Sequence, residues 1–147
     1  MKYNFSISPY IDVSQKNKLS QNKQAGARKK PERVEGTLSC ELPKTLVKTN
    51  DIHITSKRNF DCYQDTELDM LLKRTLNVKN IIICGVNTDT CVYGTTFGAS
   101  NRGYNPIVIE SCTGSMRGEA QHQTALKIMS QSIAWVMKKE EVLNKLN

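Results

Sequence analysis

The chain has 147 residues, five cysteines and a net charge of +7, which fits one domain able to bury a core of its own. No apolar run approaches the roughly 18 residues of a membrane span, and the N-terminus lacks the apolar centre of a secretion signal. Cys40, Cys62, Cys84, Cys91 and Cys112 form no CxxC pair and no metal-ligand spacing, so reduced thiols, no bound metal or cofactor, and a cytoplasmic setting are expected.

The charge is concentrated at one end. Residues 1–30 carry seven Lys or Arg side chains against Asp12 alone, a net +6 of the total. "QKNKLSQNKQAGARKK" (15–30) has almost no large apolar group, so burial cannot offset its ordering entropy. A solvated leader over 1–30 and a folded domain over 31–147 are therefore expected. Basic residues can meet phosphates, but no aromatic interleaving or nucleic-acid module accompanies them. Neither nucleic acid nor membrane is expected as a partner.

From Asp51 the pattern becomes regular. "DIHITS" (51–56) alternates and is rich in Ile and Thr, a short strand. "DTELDMLLKRTL" (65–76) opens on a cap at Asp65 or Thr66 and sets Leu68, Leu71, Leu72 and Leu76 on one helical face. "NIIICGV" (80–86) is an apolar run of strand length, as in a strand covered on both faces. Val92, Thr95, Thr96 and Ala99 follow at helical spacing, with Gly103 as the stop. "NPIVIE" (105–110) reads as a strand, and Ala125, Ile128, Met129 and Ile133 mark a second amphipathic helix. "AWVM" closes with a short strand and "KKEEVLNKL" with a helical turn or two. Alternating strands and helices predict an α/β fold, a three-layer α-β-α arrangement around a mostly parallel sheet. The sheet is narrow, since the first 50 residues add little to it.

Cys91 falls six residues after Gly85, where a strand gives way to a helix. Ligand sites of open α/β sheets lie beyond the carboxyl ends of the strands. A thiol at a helix start feels the positive end of the helix dipole and nearby backbone N–H groups, which favour the thiolate. The same N–H groups can hold an oxyanion. Position alone leaves two readings open, a nucleophile or a buried helix-start cysteine.

"GVNTDTCVYGTT" resembles the nucleophile turn of the isochorismatase-like cysteine hydrolases, G-[VI]-x-T-x-x-C-V. "HITSKRNFDCYQDTELDMLLKRTLNVKNIIICGV" is similar to the family's lysine-bearing segment, "GYNPIVIESCTGS" to its next strand and loop, and "VEGTLSCELPKTL" to the stretch upstream of the lysine. The likeness runs from Arg33 to Asn147 and extends to nicotinamidases and N-carbamoylsarcosine amidohydrolases. It implies a hydrolase that cleaves a C–N bond of a small amide or ureide through a thioester-type intermediate; a homo-oligomer is expected from an open sheet edge. By the resemblance Cys91 is the nucleophile and Lys57 the catalytic lysine, an ammonium that favours the thiolate and steadies developing negative charge. It further implies a cis peptide between Val86 and Asn87, an oxyanion hole from the N–H groups of Asn87 and Cys91, and a turn braced by the Thr88 hydroxyl. Residue 87 then needs no particular side chain, and Val92 packs below the thiol. Where the family has S-A-F, this chain reads Asp61-Cys62-Tyr63. Tyr63 keeps an aromatic and Asp61 adds a carboxylate at the expected substrate pocket, while Cys62 has no catalytic warrant.

The family's third catalytic residue, an aspartate ending the first strand, acts as general base. "YIDVSQ" (10–15) superficially resembles that motif, but Pro9 precedes it and a Lys/Asn/Gln tract follows. The chain is therefore expected to lack the family's N-terminal strand–helix–strand portion, leaving a sheet edge open to self-association. The alternative to an active hydrolase is an impaired member serving as a binding or oligomer subunit. Of the two histidines, His53 lies in an unrelated segment and His122 is expected at solvent or a subunit interface rather than in a dyad with Cys91. Trp135 is expected in the core or an interface, and Met116 and Arg117 at the pocket or a neighbouring subunit.

Overall fold

The computed structural model describes residues 5–7, 38, 41–42 and 44–146. These fall into two compact units, residues 1–58 and 59–147. The boundary expected at 30/31 is not where the compact units divide.

In the first unit, β1 (Phe5–Ile7) pairs in parallel with β2 (Ile52–Ile54), with Phe5 opposite Ile52 and Ile7 opposite Ile54. A strand thus stands inside the segment expected to be a solvated leader. Three residues are too few for alternation to register as a pattern in sequence. Asp12, Cys40 and the Lys-rich tract lie outside the described residues. Beyond β2 the Arg58 guanidinium donates to the Thr55 carbonyl at 2.8 Å.

The second unit carries the regular architecture. The Thr66 hydroxyl donates to the Cys62 carbonyl at 2.6 Å and accepts the Leu68 N–H at 3.3 Å, so Thr66 rather than Asp65 satisfies an orphan donor of the helix start. Helix α1 (Leu68–Met70) runs directly into a π-helical stretch, Leu71–Thr75. Then come β3 (Asn80–Val86), a π-helical turn (Thr88–Val92), α2 (Tyr93–Asn101), β4 (Asn105–Gly114), α3 (Glu119–Ser132), β5 (Trp135–Met137) and α4 (Lys139–Leu146). The three strands form a parallel sheet in the order β3-β4-β5, so this unit has the expected α/β character. Gly103, at φ +80°, ends α2 as expected. The Tyr104 N–H turns back to the Ala99 carbonyl at 3.1 Å, a closure that needs the left-handed backbone glycine adopts freely.

The core gathers Ile83, Val92, Val108, Ala125, Leu126 and Met129. Each of these side chains larger than alanine contributes about 1.5–3 kcal/mol by leaving water. β3 is not covered on both faces. Its burial alternates, with Ile83 inside and Ile82 and Val86 exposed. Within the β3-β4-β5 sheet, it is an outer strand. On α3 the buried face is His122, Ala125, Leu126 and Met129, whereas Ile128 is exposed. Trp135 is 70% exposed and no part of the core.

Residues 60–63 lie along α2 because two glycines let them approach. A Cβ at Gly94 would stand 3.2 Å from the Phe60 backbone, and one at Gly98 only 2.6 Å from both Asp61 carboxylate oxygens. Gly98→Ala is expected to displace the Asp61 carboxylate. Overpacking costs roughly 1–3 kcal/mol and alanine's better helix propensity returns up to about 1, so the net loss is about 1 kcal/mol, seen as a lower urea midpoint. An unchanged or raised midpoint contradicts this packing.

Candidate active site

The site grows from the end of β3. The Val86–Asn87 peptide is cis, and Asn87 has extended backbone (φ −92°, ψ 142°) before the chain winds into the Thr88–Val92 turn. The Asn87 carbonyl accepts the N–H groups of Thr90 at 3.1 Å and Val92 at 3.0 Å. Those two bonds close the turn around Cys91, whose thiol is partly exposed and in no disulfide. Val92, the next residue, belongs to the core, so one neighbour of the thiol is anchored. The Thr96 hydroxyl donates to the Val92 carbonyl at 2.7 Å, continuing the anchor into α2.

Three successive side chains fasten this turn to the segment after β4. Asn87 Oδ1 accepts the Met116 N–H at 2.9 Å. Thr88 Oγ1 and His122 Nδ1 share a buried hydrogen bond of 2.8 Å. Asp89 accepts the Ser115 hydroxyl at 2.6 Å and the Arg117 guanidinium at 2.6 Å. Desolvation works against the charged Asp89 carboxyl, but the hydrogen bonds from Ser115 and Arg117 outweigh it and hold it below the usual carboxylate range. Position 87 therefore does use its side chain, against expectation. His122 is 7% exposed and is the partner that makes Thr88 a brace, not a solvent or interface residue. Arg117 serves Asp89, while Met116 is exposed. Asp89 is a site residue that the pattern did not single out. The Asn-Thr-Asp run before a cysteine was the available signal, three short oxygen-bearing side chains in succession.

Lys57 lies in the first unit, three residues after β2, and is only 5% exposed, far from the solvated surface lysine that its residue type alone suggests. Asp61 stands beside Gly98, seven residues and roughly 10 Å of helix rise beyond Cys91. It accepts the Arg102 guanidinium at 3.2 Å and the Tyr63 N–H at 2.9 Å. The Tyr63 ring is buried, stacked on Tyr104 with centroids 5.7 Å apart and covered by Arg102 at 4.8 Å. Both residues expected at the substrate pocket are thus engaged in packing the far end of α2. Burial pushes both phenols up, helped at Tyr104 by its 2.7 Å hydrogen bond to Asp69, so each stays protonated in its packing role. Buried Cys62 donates its N–H to the Thr95 hydroxyl at 3.3 Å. Among the described residues no three His, Cys, Asp or Glu side chains gather to hold a metal ion. None of the helices described is long and apolar enough to cross a membrane.

A family model for the isochorismatase domain matches residues 9–141, a span that begins inside the segment expected to be a leader. A curated relative, the uncharacterized isochorismatase family protein YecD of Escherichia coli O157:H7, is 31% identical over 97 residues, which is 66% of this chain and 50% of that protein. The chain thus spans half the length of the curated relative it matches. Among solved structures, an isochorismatase-like hydrolase from Alkaliphilus metalliredigens superposes with a TM-score of 0.84 at 22% identity, covering 99% of this chain and 74% of its own. The nicotinamidase of Staphylococcus aureus does so with a TM-score of 0.65 at 29% identity, over 71% of this chain and 69% of its own. The first of these establishes a shared three-dimensional arrangement.

The Asp89 contacts set a pH signature. A carboxyl depressed in the folded state stabilises the fold above its unfolded pKa, and that stabilisation disappears as pH falls through the folded value. Asp89→Asn is expected to lower stability by about 1–2 kcal/mol at pH 7, the weight of a charge-assisted hydrogen bond. The gap should close as the wild type is taken below about pH 4, the ordinary carboxylate range. Denaturant titrations at a series of pH values measure it; a gap that stays constant into strong acid contradicts the assignment.

Proposed function

The chain belongs to the isochorismatase family, and from that membership we propose that it is a cysteine hydrolase acting on the C–N bond of a small amide or ureide. The observation that carries this reading is the Val86–Cys91 turn, closed on the Asn87 carbonyl and fastened through Asn87, Thr88 and Asp89, which holds one thiol at the opening of α2. A nucleophile needs such fixation, because attack depends on approach distance and angle. The name of the Staphylococcus aureus neighbour, a nicotinamidase, supplies the amide carbonyl as a first substrate chemistry.

In the proposed reaction the Cys91 thiolate adds to the carbonyl carbon, forming a C–S bond and placing negative charge on oxygen. The N–H groups of Asn87 and Cys91 are assigned to that oxyanion. Collapse breaks the C–N bond, and the nitrogen leaves with a proton as ammonia or an amine. Water then adds to the thioester, the C–S bond breaks, and the acid and the thiol are released. Lys57 is the ammonium assigned to favour the thiolate. Asp61 and Tyr63, the residues assigned to the substrate pocket, also pack against α2.

The test is incubation with nicotinamide, small aliphatic primary amides and ureides, with ammonia release and intact mass after acid quench as readouts. The reading expects an acyl adduct on the peptide containing Cys91 and loss of ammonia release to background in Cys91→Ala. Turnover that persists in Cys91→Ala overturns it. Absence of both adduct and ammonia across the panel supports instead an impaired member with a binding role.

A further inference from the structure

Among the cysteines that the hydrolase reading leaves unused, the sheet places two together. β3 and β4 run parallel with Gly85 opposite Thr113 and Val86 opposite Gly114. One residue back along each strand, where the register shifts between Ile83 and Gly85, stand Cys84 and Cys112, both exposed and in no disulfide. Their side chains are close enough to interact. Neighbouring strands lie about 4.8 Å apart, and disulfides span Cα separations of about 4.4–6.8 Å. Cysteines set side by side on adjacent strands therefore fall within the range of a direct bond.

We propose that Cys84 and Cys112 form a redox-active dithiol that closes to a cross-strand disulfide by exchange with a small-molecule disulfide such as oxidised glutathione. The reaction balances in two steps. The Cys112 thiolate attacks one sulfur of the oxidant, forming a mixed disulfide and releasing one glutathione. Cys84 then attacks the Cys112 sulfur, and the second glutathione leaves with the proton Cys84 gives up. Two protein thiols lose two electrons in all, and one oxidised glutathione becomes two reduced ones.

The surroundings assign the order of events. Desolvation and the adjacent Cys112 thiol push the Cys84 thiol up to about 11, so Cys84 is the resolving partner and ring closure quickens as pH rises. The bond would fasten the last two register pairs of these strands. Immediately beyond them stand the Cys91 turn on one strand and the Ser115–Arg117 loop on the other. The inference rests on the strand register and does not depend on the hydrolase reading.

The experiment uses the full chain in a glutathione redox buffer at pH 7 and pH 9, quenched by alkylation. Trypsin with an Asp-specific protease separates Cys84 (residues 80–88) from Cys91 (residues 89–102), with Cys112 in residues 103–117. The expected result is a linked pair of 80–88 with 103–117, two hydrogens lighter than the sum. It should form faster at pH 9 and be absent in Cys84→Ser and in Cys112→Ser, whose retained secondary structure is checked by circular dichroism. Thiols that stay reduced, or that carry only separate glutathione adducts at both pH values, overturn the proposal.

Discussion

The structure around Cys91 depends on three consecutive side chains, each offering an oxygen to the same segment of the chain. Asn87, Thr88 and Asp89 follow the cis Val86–Asn87 bond and reach Met116, His122, and Ser115 with Arg117 respectively. Alone, a five-residue π-helical turn between a strand and a helix has little to fix it. With these contacts it is tied across the gap between the carboxyl ends of β3 and β4, the region where open α/β sheets present their chemistry. The partners differ in kind: a backbone N–H, a buried imidazole and an exposed guanidinium. The Thr88–His122 bond is fully buried, so losing either partner leaves an unsatisfied polar group in the core.

Much of this was legible in the sequence because it rests on local pattern. The apolar run 80–86, Cys91 six residues past Gly85 and the helix stop at Gly103 each follow from spacing and backbone preference. What stayed hidden rests on tertiary contact. Nothing local shows that Asp61 meets Arg102 or that Tyr63 stacks on Tyr104, since the partners are about 40 residues apart. His122 reads as polar in a helix whose face is otherwise small and apolar, and only the Thr88 hydroxyl explains its burial. The alternation along β3 was masked because Ile81, Ile82 and Ile83 are equally apolar although their exposure differs. Phe5–Ile7 was too short to register beside a long charged tract.

The four described cysteines illustrate how the fold sorts one residue type into different roles. Cys62 is buried, its backbone N–H donating to the Thr95 hydroxyl and its carbonyl accepting from Thr66. Cys84 and Cys112 lie side by side on neighbouring strands. Among the described cysteines, Cys91 is the one held in a turn whose flanking residues are tied to the Asn87 carbonyl. The chemistry open to each follows from its setting rather than from the thiol itself.

The central claim is that the fold makes Cys91 a nucleophile. The most direct measurement is the rate at which each cysteine reacts with iodoacetamide at pH 6.5, resolved by peptide mass, in the wild type and in Lys57→Met. The account predicts that Cys91 reacts fastest although Cys84 and Cys112 are more exposed, and, with Lys57 as the ammonium proposed to favour the thiolate, that Lys57→Met slows it by roughly tenfold or more. A ranking that follows exposure alone, unchanged by the substitution, would contradict it.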